Sequence, residues 1–242
     1  MNDWSQVVLD FAGEQSAVAF WSAVLGAEPG PPWDGHPELR TFEPPVGDGY
    51  VHAQVVDERA RVHVDFEVDD VAVETARLIT LGAMPVRTTD VWQTLRSPGG
   101  LLFCLVTRAK HGDRPEPVGP AGQRIRLVQI CIDAPAALAD QEADFWRTAT
   151  GWRFGPSDSG FIGKLFPASG SPIQLLLQRL GPEDDGVAVR AHVDLGCDDL
   201  ESAAELMVSR GAERLWDGDG WITLRDPAGM VFCVTRNSPD AP

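Results

Sequence analysis

Two histidines occupy equivalent strand-like segments, and each stands two residues before an aspartate. His63 and Asp65 belong to RVHVDFEVDD, while His192 and Asp194 belong to RAHVDLGCDD. In a strand, residues i and i+2 point to the same face, so each imidazole has a carboxylate as its neighbour. Because an imidazole with an ordinary pKa of about 6.5 exchanges protons at neutral pH, we interpret His63 and His192 as candidate general acid–base residues. The alternative is a histidine that is hydrogen-bonded to its carboxylate and has a structural role alone.

Four glutamines are predicted to face the same cleft as these histidines. They are Gln6, Gln54, Gln129 and Gln178. A buried amide needs hydrogen-bond partners, so we expect a polar ligand or ordered water beside them. The alternative is an internal network of amides that braces the sheet.

The first half of the chain has two further candidate ligand-binding residues. Trp33 lies in PGPPWDGHPEL, a segment that could fold over a cleft mouth, and His52 has Leu176 as its counterpart in the second half. This asymmetry makes the first half the better candidate for a distinct binding chemistry. Cys104 and Cys233 follow phenylalanines and have no neighbour that marks a lowered thiol pKa, so packed thiols are expected rather than nucleophiles.

The elements that must position these residues occur twice. Residues 61–104 match residues 190–233 at a constant offset, with 17 of 44 positions identical, and SQVVLDF corresponds to VQICIDA nearer the start of each copy. Between the copies, residues 109–122 contain three prolines and three glycines, which is typical of an exposed linker. The sequence therefore predicts two homologous domains, residues 1–108 and 123–242.

Hydrophobic periodicity predicts the same order in each copy, namely a strand, a helix and further strands, run through twice. In the first copy the predicted strands are 5–11, 50–56, 61–68, 91–96 and 101–107, with helices from about Glu14 to Leu25 and from Asp70 to Gly82. In the second copy the predicted strands are 125–132, 190–197, 220–225 and 230–235, and further strands are predicted between the first helix and residue 179. The predicted helices of this copy are 137–150 and 199–210. Residues 27–49 are rich in proline and glycine and are predicted to be a loop that could include one strand pair.

Composition excludes several classes of partner. The chain has 242 residues and a formal net charge of −16, which repels nucleic acids and anionic membranes. The first residues lack the basic region of a secretion signal, and no apolar stretch approaches the roughly 20 residues of a membrane helix. The four cysteines are isolated, as expected for reduced thiols. We therefore expect a cytoplasmic protein without nucleic-acid or membrane partners.

Several motifs together resemble the vicinal oxygen chelate superfamily, which includes glyoxalase I, bleomycin-resistance proteins and extradiol dioxygenases. They are LDFAGEQSAVAFWSAVLG and IDAPAALADQEADFWRTATG, the HVDFEVDD and HVDLGCDD strands, and the endings SPGGLLFC and DPAGMVFC. The likeness is greatest to glyoxalase-like proteins common in actinomycetes. It implies an α+β fold in which four βαβββ modules form two tandem glyoxalase-like domains with concave sheets.

The resemblance also implies where a metal would bind. In metal-dependent members the ligands are His or Gln, Glu, His and Glu, one from each of four strands. The matching positions are Gln6, Gln54, His63 and Cys104 in the first domain, and Gln129, Gln178, His192 and Cys233 in the second. For the second ligand, Tyr50 or His52 in the first domain and Gln174 in the second share the same strand face and are alternatives to Gln54 and Gln178. Both glutamates are thus replaced. Two amides, an imidazole and a thiol suit Mn²⁺, Fe²⁺ or Ni²⁺ poorly, so no metal is expected, although a thiolate would favour Zn²⁺.

We therefore expect a small organic ligand in the cleft of a protein whose ancestral metal site is degraded. One alternative is an active lyase, isomerase or dioxygenase, either metal-free with His63 or His192 as the base or zinc-dependent with the cysteine. Glyoxalase I activity is not expected, because it needs a carboxylate that the matching positions lack. Another alternative is a structural or oligomer-forming domain without a ligand. The two domains are expected to pair with each other, and a homodimer is a further option.

Overall fold

The structure, a computed structural model, describes residues 4–12, 15–57, 59–119, 122–157, 160–168 and 170–241. Glu14, where the first helix was predicted to begin, and Pro120 and Ala121 of the linker lie outside these residues. Among the residues described, no helix has the length and apolar character needed to cross a membrane.

Each half of the chain consists of two βαβββ modules. The first half contains β1 (Ser5–Phe11), α1 (Gln15–Leu25), β2 (Glu28–Pro29), β3 (Leu39–Glu43), β4 (Val51–Val55), β5 (Arg61–Val68), α2 (Val71–Thr80), β6 (Met84–Thr88), β7 (Trp92–Arg96) and β8 (Leu102–Thr107). The second half contains β9 (Ile125–Ala134), α3 (Ala139–Thr150), β10 (Arg153–Gly155), β11 (Phe161–Phe166), β12 (Gln174–Arg179), β13 (Arg190–Cys197), α4 (Leu200–Ser209), β14 (Glu213–Asp217), β15 (Trp221–Arg225) and β16 (Val231–Thr235). The predicted α+β fold with four βαβββ modules is confirmed.

The strands form two eight-stranded mixed sheets of the same topology. The first has the order β2-β3-β4-β1-β5-β8-β7-β6, and the second has the order β10-β11-β12-β9-β13-β16-β15-β14. β1 pairs with β4 in parallel, and so do β5 with β8 and β13 with β16. The first strand of a module therefore lies beside its last strand, which places residues distant in sequence side by side.

Local sequence signals set the ends of the helices. The carboxylate of Asp70 accepts a hydrogen bond from the Val73 N–H at 3.0 Å, and Asp199 does the same for Ser202 at 3.1 Å. These side chains satisfy backbone donors that have no partner within the helix. At the other end of α3, Gly151 has φ 65°, a left-handed conformation that glycine adopts without a steric penalty.

Two strands were absent from the sequence prediction. They are β6 and β14, which lie at the edges of their sheets. All five residues of β6 are exposed, and four of the five in β14 are exposed. Because neither strand buries a full face, neither shows the alternating pattern from which a strand is predicted. The strand pair in 27–49 is present, formed by β2 and β3.

Internal contacts divide the chain into two compact units. One comprises 1–6, 63–110 and 130–191, and the other comprises 7–62, 111–129 and 192–242. Each unit thus draws on both halves of the chain, although each sheet belongs to one half. The domain boundaries proposed from the repeat, 1–108 and 123–242, stay a prediction.

Each unit has an aromatic core built around a tryptophan of the repeated Phe-Trp pair. In the unit that contains 63–110, Trp146 packs edge-on against Phe103, with ring centroids 5.1 Å apart. In the other unit, Trp21 packs against Phe232 at the same 5.1 Å. Both tryptophans are fully buried. These cores cover one face of β5, β8, β13 and β16, and the alternate residues of those strands form the opposite, polar face.

Candidate functional site

The pairing of β5 with β8 brings three chemically active side chains together. Asp65 lies directly opposite Cys104 in the parallel register, and His63 precedes Asp65 on the same face. His63 Nε2 is 3.4 Å from Asp65 Oδ1. One ligand atom from each of His63, Asp65 and Cys104 lies within 4.8 Å of the others. We call these three residues the repeat-1 trio.

The trio is nearly closed to solvent. His63, Asp65 and Cys104 are 8%, 7% and 5% exposed. Burial and the charge of Asp65 raise the pKa of the Cys104 thiol, while hydrogen bonds with His63 and Thr94 oppose that rise. The cysteine is therefore held as a neutral thiol, as expected for a packed residue rather than a nucleophile.

An amide and a second carboxylate lie beside this trio. Gln6 Nε2 donates to Glu67 Oε1 at 2.8 Å, and Glu67 Oε2 accepts from the Ala109 N–H at 3.1 Å. Glu67 is 1% exposed. Because Glu67 follows Asp65 by two residues in β5, its side chain is on the same face as the trio.

The second repeat builds the same arrangement on β13 and β16. Asp194 lies opposite Cys233, and His192 Nε2 is 3.3 Å from Asp194 Oδ1. His192, Asp194 and Cys233 again have ligand atoms within 4.8 Å of one another, and we call them the repeat-2 trio. Here Gln129 Nε2 donates directly to Asp194 Oδ2. Gln129 thus contacts Asp194, a member of its trio, whereas Gln6 contacts Glu67, which is outside the repeat-1 trio.

The predicted residues Trp33 and His52 meet at one threonine. Trp33 Nε1 donates to Thr41 Oγ1 at 3.2 Å, and Thr41 Oγ1 lies 3.0 Å from His52 Nδ1. The rings of Trp33 and His52 pack edge-on with centroids 5.0 Å apart. His52 is 3% exposed, whereas Trp33 and Thr41 are half-buried, so this cluster forms a polar and aromatic patch where the segment before β3 meets β3 and β4.

The remaining two glutamines have other neighbours. Gln54 lies opposite Asp10 in the pairing of β4 with β1, and Asp10 forms a 2.7 Å ion pair with Arg61. Gln178 Oε1 is 3.4 Å from Cys131 Sγ. Both glutamines thus lie beside polar groups of β1 or β9.

Of the metal-ligand positions implied by the resemblance, the structure brings His63 together with Cys104, and His192 together with Cys233. The aspartates were expected beside the histidines but not opposite the cysteines. That proximity depends on the parallel register of β5 with β8 and of β13 with β16, which a single sequence does not specify. Glu67 was not predicted as a site residue. Its spacing from Asp65 is the one signal that pointed to it.

The aspartates change the chemistry of the donor set. A carboxylate, an imidazole and a thiol are the donors that zinc prefers, and three protein ligands leave one position open. With ligands about 2.0 to 2.1 Å from a tetrahedral ion, two of them are about 3.4 Å apart. The histidine–aspartate separations of 3.4 and 3.3 Å are those of an ion pair and are also short enough for both groups to reach one cation. The residues present therefore fit a zinc-like cation.

Comparisons with known proteins agree with this architecture. The family model described as "Glyoxalase-like domain" matches residues 6–106 and 129–235. No curated protein matches the chain.

Solved structures with the same fold include enzymes that differ from one another in activity. A Mn(II)-bound glyoxalase from Novosphingobium aromaticivorans has a TM-score of 0.64 at 19% identity, covering 95% of this chain and 80% of that one. A variant of homoprotocatechuate 2,3-dioxygenase from B. fuscum also has a TM-score of 0.64, at 14% identity, covering 100% and 74%. A mutant of 4-hydroxymandelate synthase from Streptomyces coelicolor has a TM-score of 0.61 at 17% identity, covering 98% and 93%.

At these identities the structures share the fold, whereas the family model covers both repeats and most of the sequence. The chain, with its two tandem copies, therefore belongs to the glyoxalase-like domain family.

Proposed function

We propose that the chain binds a small organic molecule on the polar face of repeat 1, with His63 as the group that gives or takes a proton. The observation that carries this proposal is the buried histidine–aspartate–cysteine trio, present at matching positions of both repeats. The Asp65 carboxylate lies 3.4 Å from His63 Nε2, where it can orient the imidazole for proton transfer. Cys104, held as a thiol, lines the site and does not attack the ligand.

Three further features support the proposed setting. Similar solved structures include enzymes of small molecules, such as a catechol 2,3-dioxygenase. All four cysteines are free and buried, which suits a reducing compartment such as the cytoplasm. The cluster of Trp33, Thr41 and His52 gives repeat 1 an aromatic and polar patch, and at the position of His52 the second repeat has Leu176.

The test is a binding screen with a matched pair of variants. Small organic acids, phenols and catechols are screened by the shift they cause in the thermal midpoint, and hits are measured by calorimetry. We expect His63→Gln to weaken binding at least about 10-fold, equal to about 1.4 kcal/mol, while the midpoint of the free protein changes little. His192→Gln is the control and should retain the affinity. A large fall in the midpoint of His63→Gln, or equal losses in both variants, would contradict the proposal.

A second candidate function is metal-dependent catalysis, favoured by the fit of each trio to a zinc-like cation. His63, Asp65 and Cys104 would hold the ion, which when bound supplies a Lewis acid. Cys104 would have to lose its proton, and a cation at the thiol favours that loss. Elemental analysis of protein purified without chelator distinguishes the candidates. About one equivalent of metal per chain favours the enzyme, and metal-free protein that binds an organic ligand favours the first proposal.

A further inference from the structure

A cavity lies where the end of α1, the strands β3 and β4 and the start of β9 come together. It contains about 360 Å³ of empty space, part of which is open to solvent. Its wall is mostly apolar and includes Leu25, Phe42, Val51 and Leu127. All of the lining residues belong to the compact unit that contains 7–62 and 111–129. Such a wall suits the apolar part of a small ligand.

One cationic side chain, that of Arg126, is part of this apolar wall. Arg126 is 5% exposed. Its Nε donates to the Pro239 oxygen at 2.7 Å, and its Nη2 donates to the Ala241 oxygen. Both acceptors are uncharged backbone carbonyls, and an arginine keeps its charge in a protein. The fold therefore buries a positive charge whose bonded partners carry no negative charge.

The third nitrogen of this guanidinium has no acceptor. Nε and Nη2 form one edge of the planar group, so the two carbonyl contacts leave Nη1 unused. Nη1 is buried and has no hydrogen-bond partner among the residues that the structure describes. A buried donor without an acceptor costs free energy, and a charged donor costs more than a neutral one. An anion bound beside Arg126 would supply both an acceptor and the missing negative charge.

The nearby charges do not neutralise Arg126. The carboxylate of Asp240 is bonded to Arg124, at 2.5 Å from its Nη2. Glu116 also lines the cavity, but its side chain is exposed, so water screens its charge. Burial lowers the pKa of Arg126, and the cation of Arg114 acts in the same direction, while nearby acidic groups oppose them. A further negative charge at Arg126 is therefore favourable.

We infer that this cavity binds a small monocarboxylate, with its carboxylate at Arg126 Nη1 and its short apolar chain against Leu25, Phe42 and Val51. A single buried cation offsets one negative charge, so a dicarboxylate or a phosphate ester would bring charge that nothing in the wall balances. The inference does not rest on the proposed function, because no residue of either trio lines the cavity.

The only tyrosine of the chain provides a reporter inside the cavity. Tyr50 lines it, is 3% exposed, and donates through its hydroxyl to the Leu127 oxygen at 2.5 Å. Labelling with ring-¹³C tyrosine thus gives the NMR signals of one residue in the full-length chain. We expect butyrate at neutral pH to shift these signals saturably, and butyramide, which has the same shape without the charge, to bind at least about 10-fold more weakly.

Other results of this titration would overturn the inference. Signals that do not respond saturably to butyrate would show that the cavity does not bind it. Equal affinities for butyrate and butyramide would remove the role of the charge. Chloride that binds as tightly as butyrate would show a site for any anion and would contradict the apolar part of the assigned ligand.

A matched pair of arginine variants tests the role of Arg126. Arg126→Met keeps a long side chain in the wall and removes the cation, and we expect the butyrate affinity to fall at least about 10-fold. Arg124→Met is the control, because Arg124 is exposed, does not line the cavity and also contacts the segment after β16. It should retain the affinity. Equal losses in the two variants would overturn the role of Arg126.

A cavity-filling variant provides a test that keeps the arginine. Ala27 lines the cavity and is 6% exposed, so Ala27→Leu places additional carbon atoms where the butyrate chain would lie. We expect the response of Tyr50 to butyrate to be lost, while the thermal midpoint shows that the protein is folded. This variant decides the question if Arg126→Met does not fold. Folded Ala27→Leu that binds butyrate with the original affinity would contradict the assigned cavity.

Discussion

At the scale of single residues, each repeat buries a tryptophan whose indole N–H needs an acceptor, and the accepting carboxylates come from different positions. The indole N–H of Trp21 donates to Asp226 at 2.8 Å, and that of Trp146 donates to Glu142 at 2.7 Å. Asp226 belongs to the turn before β16, whereas Glu142 belongs to α3. Glu142 also accepts from the Gly99 N–H at 2.9 Å, where a Cβ would lie 2.8 Å from its oxygen. Glycine is thus required for this close approach.

We predict that Glu142 makes stability depend on pH. Burial raises the pKa of Glu142, against the hydrogen bonds from Ser97, Trp146 and Gly99. Because the folded state holds this proton more tightly than the unfolded chain, the stability from Glu142 is fully present below its ordinary pKa. It is lost as pH rises through the raised folded-state pKa. Glu142→Gln removes this dependence. The free energy of unfolding of the variant, relative to that of the original protein, should therefore increase as pH rises from about 4 to 7.

Urea unfolding across that pH range provides the measurement. At the acid end Glu142 is protonated and still has two oxygens that can accept hydrogen bonds, whereas an amide has one, so Glu142→Gln should cost about 1 to 3 kcal/mol there. The difference from the original protein should then shrink as pH rises. Asp226→Asn is the matched variant, because burial also raises the pKa of Asp226, and it should show the same trend. A difference that widens with pH would contradict the assignment.

The site could be predicted from the sequence only in part, because a single sequence does not specify the pairing register of its strands. Spacing within one strand correctly placed His63 beside Asp65, because alternation in a strand is a local property. The contact of Asp65 with Cys104 and that of Gln6 with Glu67 join different strands. Such contacts depend on which strands pair and in what register, and hydrophobic periodicity does not specify either. For this reason the donor set predicted from the sequence, two amides, an imidazole and a thiol, omitted the aspartates.

At the scale of elements, helices were predicted well because their signals are local. The aspartates before α2 and α4 and the glycine after α3 mark helix ends directly in the sequence. Edge strands were predicted poorly for the opposite reason. β6 and β14 are formed by pairing with one neighbour, and their own residues are mostly exposed. A strand that buries few side chains shows little of the hydrophobic alternation from which strands are predicted.

We predict that the two aspartate caps stabilise the protein to a similar degree. Asp70→Ala and Asp199→Ala each leave one backbone N–H at the start of a helix without its side-chain acceptor. Each variant should lower the free energy of unfolding by about 1 kcal/mol, measured by chemical denaturation at neutral pH. Asp70→Asn and Asp199→Asn retain an acceptor oxygen and should lose much less. Equal losses for alanine and asparagine would show that charge near the helix end, not the hydrogen bond, is responsible.

At the scale of the whole molecule, the sequence repeat and the compact units divide the chain differently. The repeat separates residues before the linker from those after it, and each sheet respects that division. The compact units do not, since each contains residues from both sides of the linker. In one unit Trp21 of α1 packs against Phe232, and in the other Trp146 of α3 packs against Phe103. The helix of one repeat thus completes a core built on the other.

This division predicts that the halves of the chain depend on each other. Expressed alone, residues 1–108 would lack the partner of Trp21, and residues 123–242 would lack the partner of Trp146. Burial of each large aromatic side chain contributes roughly 1.5 to 3 kcal/mol, a substantial part of the stability of a domain. We therefore expect that neither fragment unfolds cooperatively as a monomer. Denaturation measures the cooperativity of unfolding, and sedimentation measures the association state. An equimolar mixture should recover the near-ultraviolet circular dichroism of the intact chain.

A variant fragment makes the same experiment specific to the aromatic contact. Trp21→Ala in the first fragment removes the ring that packs against Phe232 and the donor to Asp226. Because both losses occur in the contact that joins the fragments, the variant should weaken their association by about 3 to 5 kcal/mol, the range for truncation of a buried aromatic residue. Trp92→Phe, at a half-buried position of β7, is the control and should leave association unchanged. Cooperative unfolding of either fragment as a monomer would instead show that the repeats are autonomous domains, divided where the linker lies.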